Sequence, residues 1–191
     1  MKIKSLTAFI MAFLTGSFIL YGQSGVSSSV TDVIMQSYSA RVYTSEPVSD
    51  QDLDLILQCG IKAPSSRNGQ PWKFTVVKDT ALMKKAIGTI SPGNVLILVS
   101  GPESQEGPGV DFDCALATEN MNIAAQGLGL GARIYGGPIR NVNSTMKQIL
   151  EIPEGYRVVT ILRIGHIDKN VDAVSSASAR KKYDEVVNYR K

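Results

Sequence analysis

The decapeptide Ala63-Pro64-Ser65-Ser66-Arg67-Asn68-Gly69-Gln70-Pro71-Trp72 sets two hydroxyls, two carboxamides and a guanidinium between two prolines, just ahead of an apolar, β-branched run. Groups of these kinds hold a polar ligand through hydrogen bonds. Proline fixes its own φ and restricts the residue before it, so the segment is pinned at both ends. Its polar groups then have little entropy left to lose when a ligand binds. Taken alone, the segment is equally an ordinary helix-to-strand connection.

Competing chemistries lack the residues they need. His166 is the only histidine, and Cys59 and Cys114 are the only cysteines, all far apart in sequence, which makes a poor tetrahedral zinc set. A Ser-His-Asp or Cys-His nucleophile would have to recruit His166 from the end of an apparent core strand, and the chain has no Gly-x-Ser-x-Gly elbow. A hydrogen-bonded strand-end histidine is the better reading. Gly127-x-Gly129-x-Gly131 follows a helical pattern and precedes a strand, the reverse of the order that binds a dinucleotide pyrophosphate. A left-handed helix cap with close helix packing explains these glycines. The two cysteines sit in apolar helical patterns and read as free, buried thiols, although export would allow them to pair.

The elements that position the loop follow from periodicity. After a Gly/Ser-rich leader at residues 25–29, Val30, Val33 and Ile34 recur at helical spacing and predict a short helix ending near Ser37. Ser49 with Asp52 resembles a capping box, and Leu53, Ile56, Leu57, Gly60 and Ile61 form one apolar stripe of a second helix. Residues 72–78 alternate as a strand, Thr80 is positioned to cap a helix carrying Leu82, Ala86 and Ile87, and Val95–Val99 reads as a buried strand. Residues 101–109 are expected to be the most mobile loop. Then come an alanine-rich central helix over 112–128, a strand over 131–135, a helix over 144–150 and a strand over 157–164. Helices and strands mix without strict βαβ alternation, which points to a layered α+β domain rather than a doubly wound sheet.

Length and composition fit one domain: 191 residues, 43% of them hydrophobic, are enough for a sizeable core. Lys2 and Lys4 ahead of an apolar run from Leu6 to Leu20, with Gly22 and Ser24 behind it, predict a signal peptide over residues 1–24 and a mature domain over 25–191. The expected location is periplasmic or secreted, with no stable membrane insertion after cleavage. An uncleaved membrane anchor is the alternative, disfavoured because the run falls short of the ~20 apolar residues of a span. Without Lys2 and Lys4, eighteen Lys and Arg face seventeen Asp and Glu, a net charge of +1 that offers nucleic acid no footprint. Arg180-Lys181-Lys182 is sized for a single phosphate or is a solvated tail.

Several blocks in order resemble the nitroreductase-like FMN-dependent family. They are Ser39-Ala40-Arg41 with the residues through Val48, the Pro64 loop, Gly127–Gly131, Ile152–Val159 and Arg180–Val187. The resemblance spans nearly everything from Val33 to the C-terminus. It implies a three-layer α/β/α fold around a mixed, mainly antiparallel sheet, and a homodimer with FMN at the interface and the C-terminal tail reaching the partner. NADH or NADPH would be the co-substrate, passing hydride in ping-pong fashion through flavin N5 to a nitroaromatic, a quinone or a similar small electron-poor acceptor. No catalytic side chain is implied, since the flavin reacts.

By the same resemblance, Ser39 and Arg41 approach the phosphate–ribityl and pyrimidine side of FMN, and Arg180 clamps the phosphate. Pro64, Ser65 and Asn68 line the isoalloxazine with support from Gln70, and Ile134, Tyr135, Gly136 and Gly137 bring backbone toward N5. Two departures stand out. Ser37-Tyr38 occupies the place of a basic pair that family members often carry, and the span from Ile87 to Phe112 is short, which opens the pocket. An exported flavin- or ligand-binding module without turnover, and a flavin-dependent dehalogenase-type enzyme, are the alternatives.

Overall fold

A computed structural model describes residues 29–105, 108–171 and 179–190; the signal peptide expected over 1–24 lies outside them. Four strands form one sheet in the order β1-β2-β4-β3: β1 Lys73–Val77, β2 Val95–Pro102, β3 Gly131–Tyr135 and β4 Tyr156–Gly165. Every pairing among them is antiparallel.

The sheet has two apolar faces because β2 is buried along nearly its whole length. Val95, Ile97 and Val99 pack with Leu53 and Ile56 of α2 (Asp50–Ile61) and with Cys114, Ala117, Met121 and Ala125 of α4 (Pro108–Gly127). Leu96 and Leu98, pointing the other way, pack with Met83 and Ala86 of α3 (Thr80–Ile87) and Val142 of α5 (Ile139–Thr145). Period-two alternation thus produces a three-layer α/β/α sandwich. A β-bulge on β4 pairs Val99 with Thr160 but Ser100 with Val158, leaving Val159 extra. Both Val159 and Thr160 consequently face the α4 layer, where the Thr160 hydroxyl meets that of Thr118 at 2.5 Å.

Gly60 lets α2 sit close to α4: a methyl group placed on it would lie 2.7 Å from Met121 Cγ. α4 ends in a left-handed Gly129, φ +78°, with Leu130 N–H returning to the Ala125 carbonyl, the cap expected of that glycine cluster. α1 (Val30–Gln36) is held by a capping box between Ser29 and Asp32, yet buries none of its residues. A short α6 (Tyr183–Val186) lies near the C-terminus. No helix among the described residues is long and apolar enough to cross a membrane.

Several expected boundaries shift. Asp79, not Thr80, caps α3, because its carboxylate accepts from Leu82 N–H at 2.7 Å. The helix expected over 144–150 instead starts at Ile139, directly behind Pro138, and residues 146–151 form turns. Proline preset for the first turn outweighs the later apolar spacing. Of the expected loop over 101–109, Gly101 and Pro102 extend β2, residues 103–105 form a 3-10 turn and α4 begins at Pro108; residues 106–107 lie outside the described set. Ile61 is 53% exposed and falls off the apolar stripe of α2.

Both thiols are unpaired, Cys114 fully buried and Cys59 half-buried. Burial, reinforced by the negative charge of Asp111, pushes the Cys114 thiol up to about 12. The thiolate is the reactive form, so Cys114 is expected to stay unmodified when native protein is treated with iodoacetamide at pH 8, and to react once denatured. Peptide mass spectrometry reads this directly; rapid native alkylation of Cys114 would contradict the burial.

Candidate functional site

The site is assembled around α4. The extended stretch from Ser37 to Val48 crosses the end of this helix and runs along the sheet. Tyr38 N–H donates to Gln126 Oε1 at 3.2 Å, Ala40 N–H to the Ala132 carbonyl at 3.1 Å, and Thr44 N–H to the His166 carbonyl at 2.9 Å. Extended backbone alternates its side chains, so burial of Ala40 turns Ser39 and Arg41 outward together.

Further along, Tyr43 is buried beneath the Arg163 guanidinium, which lies 3.9 Å from its ring centre and donates to Asn94 Oδ1 and the Thr89 carbonyl. A buried cation is tolerated there because ring and acceptors replace its hydration. Burial also raises the Tyr43 phenol above its ordinary range, so it remains neutral. His166 closes the strand end with Nδ1 3.6 Å from the Glu46 carboxylate.

One cleft of about 220 Å³ brings together Ser39, Ile134 and Arg180 from three distant stretches, with Ser37, Tyr38, Glu119, Asn122 and Gln126 completing its wall. The α4 side chains are linked to one another: Gln126 Nε2 donates to Asn122 Oδ1, and Asn122 Nδ2 to Glu119 Oε2, both at 3.1 Å. Ile134 reaches the cleft because it points to the α4 face of β3. Tyr135, the next residue, points to the opposite layer, packs with the α3–α5 core and does not line the cleft. Gly136 and Gly137 follow at the surface, and a methyl group on either would meet no described atom within 4 Å. Arg41 is exposed and does not line the cleft, although it stands two residues from Ser39.

A second cleft, of about 720 Å³, lies over the start of α4 between Pro64, Ser65, Ser66, Gly109, Phe112, Asp113 and Leu116. Phe112, Leu116, Glu119 and Gln126 recur at helical spacing, so both clefts open on one face of α4 about 10 Å apart. The Pro64 loop folds into a 3-10 turn over Ser66–Asn68, with Arg67, Asn68 and Gln70 all left-handed. Gln70 N–H donates to Ser65 Oγ at 3.0 Å, and the Gln70 carboxamide donates to the Asn68 carbonyl. Asn68 and Gln70 themselves are exposed and line neither cleft. Among the described residues no group of three or more His, Cys, Asp or Glu side chains is arranged to hold a metal.

A sequence model of the Nitroreductase family matches residues 34–93 and 90–166. The chain belongs to the nitroreductase family. The match contains the Ser39 block, the Pro64 loop, α4 and the β3 turn, while Arg180 lies beyond it. A protein of Archaeoglobus fulgidus assigned as NADH dehydrogenase/NAD(P)H nitroreductase is 33% identical over 139 residues, covering 67% of this chain and 79% of its own. The FMN reductase (NAD(P)H) of Bacillus subtilis is 29% identical over 181 residues, 80% of this chain and 69% of that one. A protein from Desulfovibrio desulfuricans assigned as a nitroreductase, solved in complex with FMN, superposes with a TM-score of 0.73 at 29% identity, covering 86% of this chain and 98% of the other.

Within this nitroreductase-family chain, the polar face of α4 and the buried Asp113 are the site residues that sequence reasoning missed. A signal was present: Glu119, Asn122 and Gln126 follow an i, i+3, i+7 spacing on a helix otherwise rich in alanine. Asp113 carried no comparable signal, because one carboxylate in an apolar helical run resembles any helix-start acid.

Proposed function

We propose that the chain is an FMN-dependent NAD(P)H oxidoreductase, acting as a homodimer and passing electrons from reduced nicotinamide to a small electron-poor acceptor such as a nitroaromatic or quinone. The observation that carries this reading is the convergence of Ser39, Ile134 and Arg180 on one cleft. Its donor set suits a phosphorylated, hydroxylated ligand: a guanidinium and a hydroxyl, with carboxamides and backbone beside them. Bound there, FMN would supply the redox chemistry, carrying two electrons from reduced nicotinamide to the acceptor.

The residues of this chain bind and orient. Arg180 and Ser39 would hold the phosphate end, Arg41 would stabilise negative charge on the reduced ring, and the open backbone at Gly136–Gly137 would let a ring edge approach. At about 220 Å³ the cleft falls below the ~300–1,000 Å³ of complete ligand sites, so it holds one end of the ligand. A second copy supplies the remaining wall through its Pro64, Ser65 and Asn68 loop, with Gln70 bracing that loop. Exposed apolar surface supports the dimer: Val30 is 67% and Met35 84% exposed on α1, beside a groove of about 580 Å³ lined by Val33, Leu55, Cys59, Ile123 and Ala124. The N-terminal segment is read as a cleaved export signal; N-terminal sequencing of native protein tests it, and an intact Met1 would exclude cleavage.

Ser37-Tyr38 in place of a basic pair, with Glu119 on the same rim, favours weak FMN binding and leaves a flavin-binding module without turnover as the second reading. One experiment separates the two. Protein loaded with FMN is expected to bleach on anaerobic addition of NADH or NADPH and to regain its yellow colour when a quinone is added. Bound flavin that neither nicotinamide reduces would establish the module, and failure to take up FMN at all would overturn both.

A further inference from the structure

We infer that Asp113 is a positioning residue that holds the Pro64–Gln70 loop in its ligand-ready shape, an inference that rests on the reading of this loop as a wall of the flavin site. Asp113 is one of two charged side chains, with Arg163, that are almost wholly buried among the described residues, only 4% exposed. Both of its carboxylate oxygens accept from one donor, Ser66 N–H, at 3.0 and 3.2 Å. No cation pairs with it among the described residues. A carboxylate sunk into the central helix and spent on a single loop amide is costly unless that amide has to stay in place.

The loop is what makes the anchor necessary. Three non-glycine residues within four positions, Arg67, Asn68 and Gln70, hold φ values of 52°, 56° and 44°. Such backbone persists only when its surroundings over-determine it. Most of the bonds that do so are internal to the loop: Asn68 N–H to the Ser65 carbonyl, Gly69 N–H to the Ser66 carbonyl, and Gln70 N–H to Ser65 Oγ. They fix the loop's shape but not its place. Asp113 ties that shape to α4, the rigid central helix of its own subunit, so the loop is presented to the second copy's cleft in a fixed position. Buried Ala63 and Trp72 hold the two ends of the loop, and between them its one hydrogen bond to α4 among the described residues, which sets how Ser65 and Asn68 stand relative to a ligand, is to the Asp113 carboxylate.

Three variants of the full chain test this. Asp113→Asn keeps an acceptor oxygen for Ser66 N–H, Asp113→Ala removes it, and Ser66→Pro removes the donor at a position that follows extended backbone and opens a 3-10 turn, where proline fits. Amide exchange across residues 65–70 is measured without FMN, and the FMN dissociation constant by flavin fluorescence. Asp113→Ala and Ser66→Pro are each expected to accelerate exchange and to raise the dissociation constant at least tenfold. The double variant should be no worse than either, and Asp113→Asn should rescue both readouts to within about threefold of the parent. If Asp113→Ala fails to fold, the contrast between Ser66→Pro and Asp113→Asn carries the same test. Unchanged exchange in Ser66→Pro would overturn the inference. Faster exchange with unchanged FMN affinity would also overturn Asp113's role at the site, by showing that the loop does not touch flavin, while turnover by the parent protein would leave the oxidoreductase reading standing.

Discussion

Arg180→Ala is expected to raise the FMN dissociation constant ten- to a hundred-fold while leaving kcat of the flavin-loaded enzyme unchanged. A charge-assisted bond to an anion contributes about 1.5–3 kcal/mol, which sets that range. Arg180 lines the cleft from the C-terminal segment, together with Ser39, Asn122 and Gln126. Glu119 also lines the cleft, so loss of Arg180 removes the one cation that lines it among the described residues and leaves an anion facing the phosphate. Arg180→Lys should recover part of the affinity, since a point charge remains where the two-pronged geometry is lost. Because Arg180 is exposed, thermal stability without FMN should change little. Isothermal titration with FMN measures the effect, and equal affinity in Arg180→Ala and the parent would place the phosphate clamp elsewhere. Equal kcat matters as much: a guanidinium that only binds alters saturation, not the chemical step.

The core was legible because local pattern and burial coincide there. Val95–Val99 is apolar on both faces and becomes the strand shared by both cores, and Ser49–Asp52 marks the start of α2. The start of α5 was not legible, since its first turn is set by Pro138 at the end of a turn rather than by apolar spacing. For the site, the family blocks named candidate segments but not how they assemble. Ser39, Ile134 and Arg180 meet because Ala40 hydrogen-bonds to β3 and thereby carries Ser39 alongside Ile134, a non-local pairing that no window of sequence encodes. Arg41 shows the converse. Its block runs as extended backbone beside β3, yet Arg41 lies outside the cleft and forms no ion pair among the described residues.

Gly93→Ala is expected to be the most damaging single methyl group, costing roughly 2–5 kcal/mol. Gly93 has φ +78°, and a non-glycine residue in that region costs about 1–2 kcal/mol. The added methyl would also lie 2.6 Å from the Ser45 carbonyl oxygen and 2.8 Å from that of Glu46. Those are backbone atoms, unable to rotate aside as a side chain would, and overpacking of this kind costs about 1–3 kcal/mol. Relief would have to come from moving the 44–48 segment, which is tied to this turn by Val48 N–H to the Gly93 carbonyl and by Ser91 Oγ to the Tyr43 carbonyl. Displacement there propagates along the extended backbone to Ser39, so FMN affinity should fall together with stability. Gly129→Ala is the matched control: it shares the φ of +78°, but a methyl group there meets nothing within 4 Å. Thermal denaturation of both variants separates the two causes, because the control reports backbone strain alone and Gly93→Ala reports strain plus collision. A chain of this size loses about 2–4 °C per kcal/mol, so the midpoint of Gly93→Ala should drop on the order of 10 °C, well beyond the control. Equal drops would mean that the turn and the Ser45–Glu46 backbone part freely, and the coupling from Gly93 to the ligand cleft would then fail.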